Sequence, residues 1–241
     1  LKTNKLAIIN KDDENIYELS KKLKCKKIFV SSYSFADIYA TNIKIRANCT
    51  FFTLHINNEE IPIQTKVLGR HHVNNLLLAI AVAKHLNIKE EQIIRHLRLL
   101  KNIENRMEYK KDHNWDIIDD SYNANYDSMR YAIKYLGSLT GRNIAVLGTM
   151  RELGDYTKSL HKKIGKVVSD EDINILITVG EDSDYINDGA IEEGFNKDNS
   201  YHFTNNTDAI NFINEIKCKD DNILVKASNS LNFKEIVEKI K

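Results

Sequence analysis

What the sequence lacks removes most function classes at once. Its three cysteines, Cys25, Cys49 and Cys218, sit at no metal-binding spacing and form no even framework. That excludes a zinc module or a disulfide-stapled scaffold and fits a reducing cytoplasm. No apolar run approaches the roughly 20 residues of a membrane-spanning helix. The opening Leu1-Lys2-Thr3-Asn4-Lys5 has no signal-peptide character, so no membrane insertion is expected. Lysines and arginines number 35 against 34 aspartates and glutamates, a formal net charge of +1, which gives no basic field for nucleic acid. Neither G-x-x-x-x-G-K-[ST] nor G-x-G-x-x-G occurs, so the chain itself presents no standard triphosphate cradle. No nucleophile elbow marks a serine or cysteine hydrolase. The adjacent His71-His72 pair has no third ligand at a helical or strand spacing, so no metal site is expected. The first residue is not Met and a strand-like run, Lys5 to Ile9, begins almost at once, so the chain is expected to be cut from a larger protein.

What is present is the material of two α/β units. A length of 241 residues exceeds a comfortable single domain of roughly 100–200 residues, and 42% apolar residues suffice for real cores. Leu6 to Ile9 and Lys27 to Val30 read as strands, the second buried, around a helix over Glu14 to Leu23. Ile38 to Arg46, Thr50 to Ile56 and Ile61 to Val67 read as β, the last two joined through Asn57-Asn58 as a hairpin. Val73, Leu76, Leu77, Ile80 and Ala83 fall at helical spacing, with Lys84 and His85 complementing the helix dipole at its end. A second helix is predicted over Glu90 to Leu100. The pattern changes near Asn102 to Asn105 without a glycine- or proline-rich linker. Beyond it, apolar strands recur at Trp115–Ile118, Asn143–Leu147, Ile173–Val179, Tyr201–Phe203 and Ile223–Val225, each followed by a helical pattern. Five such alternations predict an open parallel sheet.

The informative stretch follows the first of these strands. The run ends on Asp119-Asp120, passes through Ser121-Tyr122-Asn123-Ala124, and reaches Asn125, placed to cap a helix with Met129, Ala132, Ile133 and Leu136 on its apolar face. Strand, polar turn and helix are where α/β proteins bind ligands, although turn and cap duties alone would also account for Asp120 and Asn123. Gly148-Thr149-Met150 after the next strand is a second candidate turn, resting on a single glycine.

At these residues the sequence resembles the Mur ligase family. Gly69-Arg70-His71-His72-Val73-Asn74-Asn75 with Ala79 is similar to the family's G-x-H-N-x-x-N-x-x-A-A, and Asn105-Arg106-Met107-Glu108 to its G-R-M/F-E. Asp119 to Met129 resembles D-D-S-Y-N-A-N-P-x-S-M, and Asn143 to Gly154 with Leu160-His161 resembles R-x-x-V-L-G-D-M-x-E-L-G…L-H. Ala7-Ile8-Ile9-Asn10 with Asp12-Asp13 is similar to A-V-x-N-x-D-D of the central domain. These motifs run in order along essentially the whole chain, and two of them mark the branch that adds D-alanyl-D-alanine to a UDP-N-acetylmuramoyl tripeptide during peptidoglycan precursor synthesis.

The resemblance implies an incomplete central ATPase-type α/β domain over residues 1–103. A Rossmann-like carboxy-terminal domain with an open, mostly parallel sheet is implied over 104–241. It implies a cytoplasmic ATP- and magnesium-dependent amide ligase working through an acyl phosphate. Asn75 matches the family asparagine near the adenine, Arg106 an arginine that reaches the phosphates, and Asp120 the aspartate that binds the ribose. Asn123, Asn125 and Ser128 are expected to present the incoming dipeptide, and Lys226, Ser228 and Ser230 to face the substrate peptide. The family's phosphate loop and magnesium ligands would lie upstream of Leu1, so no catalytic or metal-binding residue is expected here and the chain alone should be inactive. Within the motifs His72 stands for Asn, Tyr126 for Pro, Thr149 for Asp, and Asn229 where many members carry Arg. A non-catalytic nucleotide-binding relative, or another amino-acid-adding ligase of the superfamily, remain open as alternatives.

Overall fold

The computed structural model describes residues 5–46, 49–100, 103–111 and 114–241. By its contacts the chain divides into two compact units, Leu1–Asn102 and Ile103–Lys241. The opening residues 1–4 and Asn102, which figured in the sequence reading of the start and of the boundary, lie outside the described residues.

The first unit is a five-stranded sheet in simple sequence order: β1 (Leu6–Asn10), β2 (Lys26–Ser31), β3 (Ile38–Arg46), β4 (Cys49–Ile56) and β5 (Glu59–Thr65). The first three are parallel, and β4 runs antiparallel to both of its neighbours. Asn57 and Asn58 take φ of 52° and 63°, the double left-handed turn that closes a two-residue hairpin and that asparagine tolerates. Along β4, Thr50, Phe52, Leu54 and Ile56 point inward. There Phe52, Leu54 and Ile56 join Val73, Leu77, Ile80 and Ala81 of α2 (Arg70–His85) and Ile93 and Leu97 of α3 (Glu90–Leu99) in one core. α1 (Glu14–Ser20) stops three residues short of the expected Leu23, its end continuing as turns at Lys21, Lys22 and Leu23. β2 is half-buried rather than buried: it lies one strand from the end of the sheet, and Ile28 packs on the core while staying partly exposed.

The second unit is doubly wound. Its strands are β6 (Glu108–Lys111), β7 (Asp116–Asp119), β8 (Arg142–Gly148), β9 (Ile175–Val179), β10 (Ser200–Phe203) and β11 (Asp221–Lys226), in the order β10-β9-β8-β11-β7-β6. All pairs are parallel except β6 with β7. β6 was not predicted, because Glu-Tyr-Lys-Lys carries no apolar alternation; it is a polar edge strand of the kind that blunts unwanted pairing. Both faces of the parallel part are covered. Ile117, Ile144, Val146, Ile177, Val179, Ile223 and Val225 pack with residues of α7 (Asn206–Ile216) and α8 (Lys234–Lys239). The alternate positions Ile118, Ala145, Leu147, Leu176 and Leu224 are equally inaccessible, as near-continuous apolar strands require. α4 (Tyr126–Gly137) buries the four predicted residues Met129, Ala132, Ile133 and Leu136.

α5 (Thr157–Asp170) and α6 (Asp184–Glu192) cross backbone to backbone. A Cβ on Gly165 would stand 2.2 Å from the Ile186 carbonyl oxygen, and one on Gly189 would stand 2.3 Å from that of Lys162. β8 ends with similar closeness: a Cβ on Gly148 would lie 2.5 Å from the Phe233 ring and 2.6 Å from Ala227. That glycine is therefore explained by packing rather than by approach to a ligand.

The chain leaves β7 for β8, continues to β9 and β10, then returns with β11 between β8 and β7. The reversal sets the carboxyl ends of β7, β8 and β11 side by side, where α/β sheets place their ligand crevices. The loop after β8 is fixed by His161 of α5, which is wholly buried. The Met150 N–H donates to its Nε2 at 2.9 Å, so Nδ1 carries the proton and donates to the Thr157 carbonyl at 2.7 Å. Burial holds the His161 pKa below its ordinary value.

Two outcomes are expected. Gly189→Ala should force α5 and α6 apart and cost about 1–3 kcal/mol, read as a lower urea midpoint; an unchanged midpoint would remove the close crossing. For His161, the unfolded chain takes up a proton below its usual value near 6.5 while the folded chain resists it, so stability is lost as pH falls through that window. The melting temperature should fall from about pH 7.5 to about pH 5.5 and fall less in His161→Gln, which keeps an acceptor for Met150 without titrating. Equal slopes in the two proteins would exclude this histidine as the source.

Candidate functional site

The centre of the strand-end region is a buried ion pair. Lys226, the last residue of β11, is 1% exposed and places Nζ 2.6 Å from Asp120 Oδ2 and 2.9 Å from the Asn123 carbonyl oxygen. Asp120 receives the Met107 N–H on Oδ1 at 3.0 Å, and its own N–H donates to the Val225 carbonyl at 3.0 Å. Burial pushes the Asp120 carboxyl up against the pull of Lys226, and the same burial pushes the Lys226 ammonium down. Met107 reaches its position with φ of 48°, a backbone region costly for a non-glycine residue and often found at functional sites. Next door Asp119, fully buried, accepts the Ser121 N–H and hydroxyl and pairs with Lys110 of β6.

Two further loops are tied to this turn. The Ser228 hydroxyl accepts the Arg151 N–H at 2.8 Å, and the Ser228 N–H donates to the Thr149 carbonyl at 3.2 Å. Asn229 Nδ2 donates to the Tyr122 carbonyl at 3.0 Å. On the outside, the Arg106 guanidinium stands 4.1 Å over the Tyr122 ring, and both residues are exposed. That is a fixed cation on an open surface, suited to an anionic group.

The sequence-predicted residues separate into two kinds. Arg106, Asn123, Asn125 and Ser230 are exposed and Ser128 is half-buried. Asn125 and Ser128 form a reciprocal cap, each backbone N–H meeting the other's side chain, which is the helix start predicted for Asn125. Lys226 and Ser228, expected to face a substrate peptide, are buried in this structure, as is Asp120, and are hydrogen-bonded to neighbouring loops. Neither orientation is visible in a sequence, since a lysine after a strand is ordinarily solvated. The departures at 126 and 149 are also placed. Tyr126 simply opens α4, and Thr149 is buried with no hydrogen-bond partner for its hydroxyl among the described residues.

In the first unit Asn75 is exposed on α2. Its neighbour Asn74, which the sequence reading passed over, is buried and donates to Asn10 Oδ1 at 2.8 Å and Asp12 Oδ2 at 3.2 Å. Asp12 also accepts the Ser31 hydroxyl and the Ser32 N–H and hydroxyl. The two motifs quoted from the sequence, Ala7–Asn10 with Asp12 and Gly69–Asn75, thus meet through Asn74. The rings of His71 and His72 lie 4.1 Å apart. Among the described residues no three His, Cys, Asp or Glu side chains converge as a metal ion would need.

Comparison with known proteins follows the same division. The model of the Mur ligase middle domain matches residues 1–83, and that of the Mur ligase glutamate ligase domain matches residues 105–229. The chain is 38% identical over 175 residues to the UDP-N-acetylmuramoyl-tripeptide–D-alanyl-D-alanine ligase of Bacillus subtilis, covering 71% of this chain and 38% of that protein. It is 34% identical over 244 residues to the enzyme of the same name from Buchnera aphidicola (subspecies Baizongia pistaciae), covering 100% and 52%. Among solved structures, MurF from Acinetobacter baumannii superposes with a TM-score of 0.87 at 23% identity, covering 98% of this chain and 51% of that one. A MurF ligase from Thermotoga maritima in complex with ADP gives 0.85 at 18% identity, covering 99% and 53%. The chain spans about half the length, or less, of the curated relatives it matches. With the carboxy-terminal match alone taking in more than half of its residues, the chain belongs to the Mur ligase family.

Proposed function

We propose that this chain is the rear portion of an ATP-dependent amide ligase that joins D-alanyl-D-alanine to UDP-N-acetylmuramoyl tripeptide. The observation that carries the reading is the Asp119–Met129 turn, anchored by a buried ion pair at the switch of a doubly wound sheet, in a chain whose relatives bear that activity in their name. Within the first unit, Asn75 is proposed to meet the adenine. Within the second, the exposed Arg106 would meet the phosphates and Asp120 the ribose, with Asn123, Asn125, Ser128 and Ser230 along the path of the dipeptide and the substrate peptide.

ATP, when bound, supplies the phosphoryl group that activates the peptide carboxylate as an acyl phosphate, which the amine of D-alanyl-D-alanine displaces. The contribution of these residues is binding and orientation. A guanidinium held over the Tyr122 ring is placed before the anion arrives, and such preorganisation is where catalysis of this kind gains most. Magnesium accompanies phosphoryl transfer of this type. No residue of this chain is assigned to it. The three cysteines are free thiols, in keeping with a cytoplasmic setting.

The test is phosphate release by the protein encoded by the complete reading frame that contains these residues. Release that requires ATP, UDP-N-acetylmuramoyl tripeptide and D-alanyl-D-alanine together is expected. No release, with ADP still bound, would replace the proposal with a non-catalytic nucleotide-binding protein. In the same assay Arg106→Ala should lower turnover by roughly tenfold or more while Arg106→Lys retains part of it, since only the planar fork can both stack and chelate phosphate oxygens. Equal activity in the two variants would remove Arg106 from the site.

A further inference from the structure

Lys226 is the more deeply buried member of the pair it forms with Asp120, at 1% exposure against 7%. In this structure its Nζ bonds within the protein, to Asp120 Oδ2 and the Asn123 carbonyl. A buried lysine is costly to retain unless its charge does something. Its two acceptors show where that charge acts: one is the carboxylate proposed to hold the ribose, the other a backbone carbonyl inside the Tyr122–Asn125 turn.

We infer that Lys226 is a positioning residue for Asp120: its ammonium keeps that carboxylate ionised and aimed, and fixes the turn beside it. This rests on the proposed nucleotide role of Asp120. The other charges around the pair do not substitute for it. Asp119, adjacent on β7, repels the Asp120 charge and is itself paired with Lys110. Arg106 acts on Lys226 as a like charge. The Met107 N–H is the remaining donor to Asp120, and it is neutral. Deprived of Lys226, a carboxyl so deeply buried would take up a proton. Its protonated oxygen would then be a donor rather than an acceptor toward a ribose hydroxyl.

The experiment follows the carboxyl carbon of Asp120 by NMR in the aspartate-labelled 241-residue chain, with the resonance assigned through Asp120→Asn. In Lys226→Met the titration midpoint of Asp120 should rise by about two units or more relative to the wild type, and in Lys226→Arg it should stay close to it. A midpoint that does not move in Lys226→Met overturns the inference. Should Lys226→Met fail to fold, the double variant Lys226→Met/Asp120→Asn decides. Recovery of most of the lost melting temperature shows that the charge of Lys226 acts through Asp120. A double variant as unstable as the single shows that Lys226 acts by packing alone, which also overturns the inference.

ADP affinity of the complete protein, measured against pH, separates this from the function proposed above. If the midpoint of Asp120 moves and ADP affinity does not follow it, the ribose role fails and the positioning role survives. If the midpoint is unmoved while Asp120→Asn still weakens ADP, the reverse holds.

Discussion

Taking an ammonium and a carboxylate out of water costs several kcal/mol per ion, and the second unit accepts that cost between the ends of β11 and β7. The pair is held by more than attraction. Lys226 also spends a proton on the Asn123 carbonyl, and Asp120 accepts the Met107 N–H from a segment that enters the site with a left-handed residue. Three pieces distant in sequence, the loop before β6, the turn after β7 and the end of β11, are thereby fixed to one another. A hydrophobic pair could fill the same space and give more stability. What it could not give is a carboxylate in a defined place and charge state.

Around that centre the site divides its work. Some groups set the loops: the buried His161 through Met150 and the buried Ser228 through Arg151 and Thr149, and, nearer the surface, Asn125 and Ser128 through their shared cap. Other groups stay exposed to solvent: the Arg106 guanidinium on the Tyr122 ring, and the side chains of Asn123 and Ser230. The family motifs mix both kinds. A residue recognised by its motif is thus as apt to be a fastening as a contact, and Asn74 beside Asn75 repeats the point in the first unit.

Much of the architecture was legible in the sequence because its signals are local. Short apolar runs gave the parallel strands, the spacing from Met129 to Leu136 gave a helix face that is fully buried, and Asn57-Asn58 gave its hairpin. β6 escaped because an edge strand paired on one side needs no apolar pattern. The end of α1 escaped because no proline or glycine stops it. The site was legible as a set of residues but not as an arrangement. Which side chains turn inward depends on strands brought together by the return of β11, more than a hundred residues after Asp120. The burial of Lys226 and Ser228 follows from that return.

The inaccessibility of Lys226 has a consequence for chemistry done on the protein. Amine-reactive reagents label lysines by collision with the neutral amine at the surface, and most lysines of this chain are within reach of solvent. Lys226 is not, and its ammonium is engaged on two sides. In the native chain it is chemically silent. Its rate of modification measures how often the turn after β7 and the end of β11 come apart, so one residue serves as an internal clock for opening of the site.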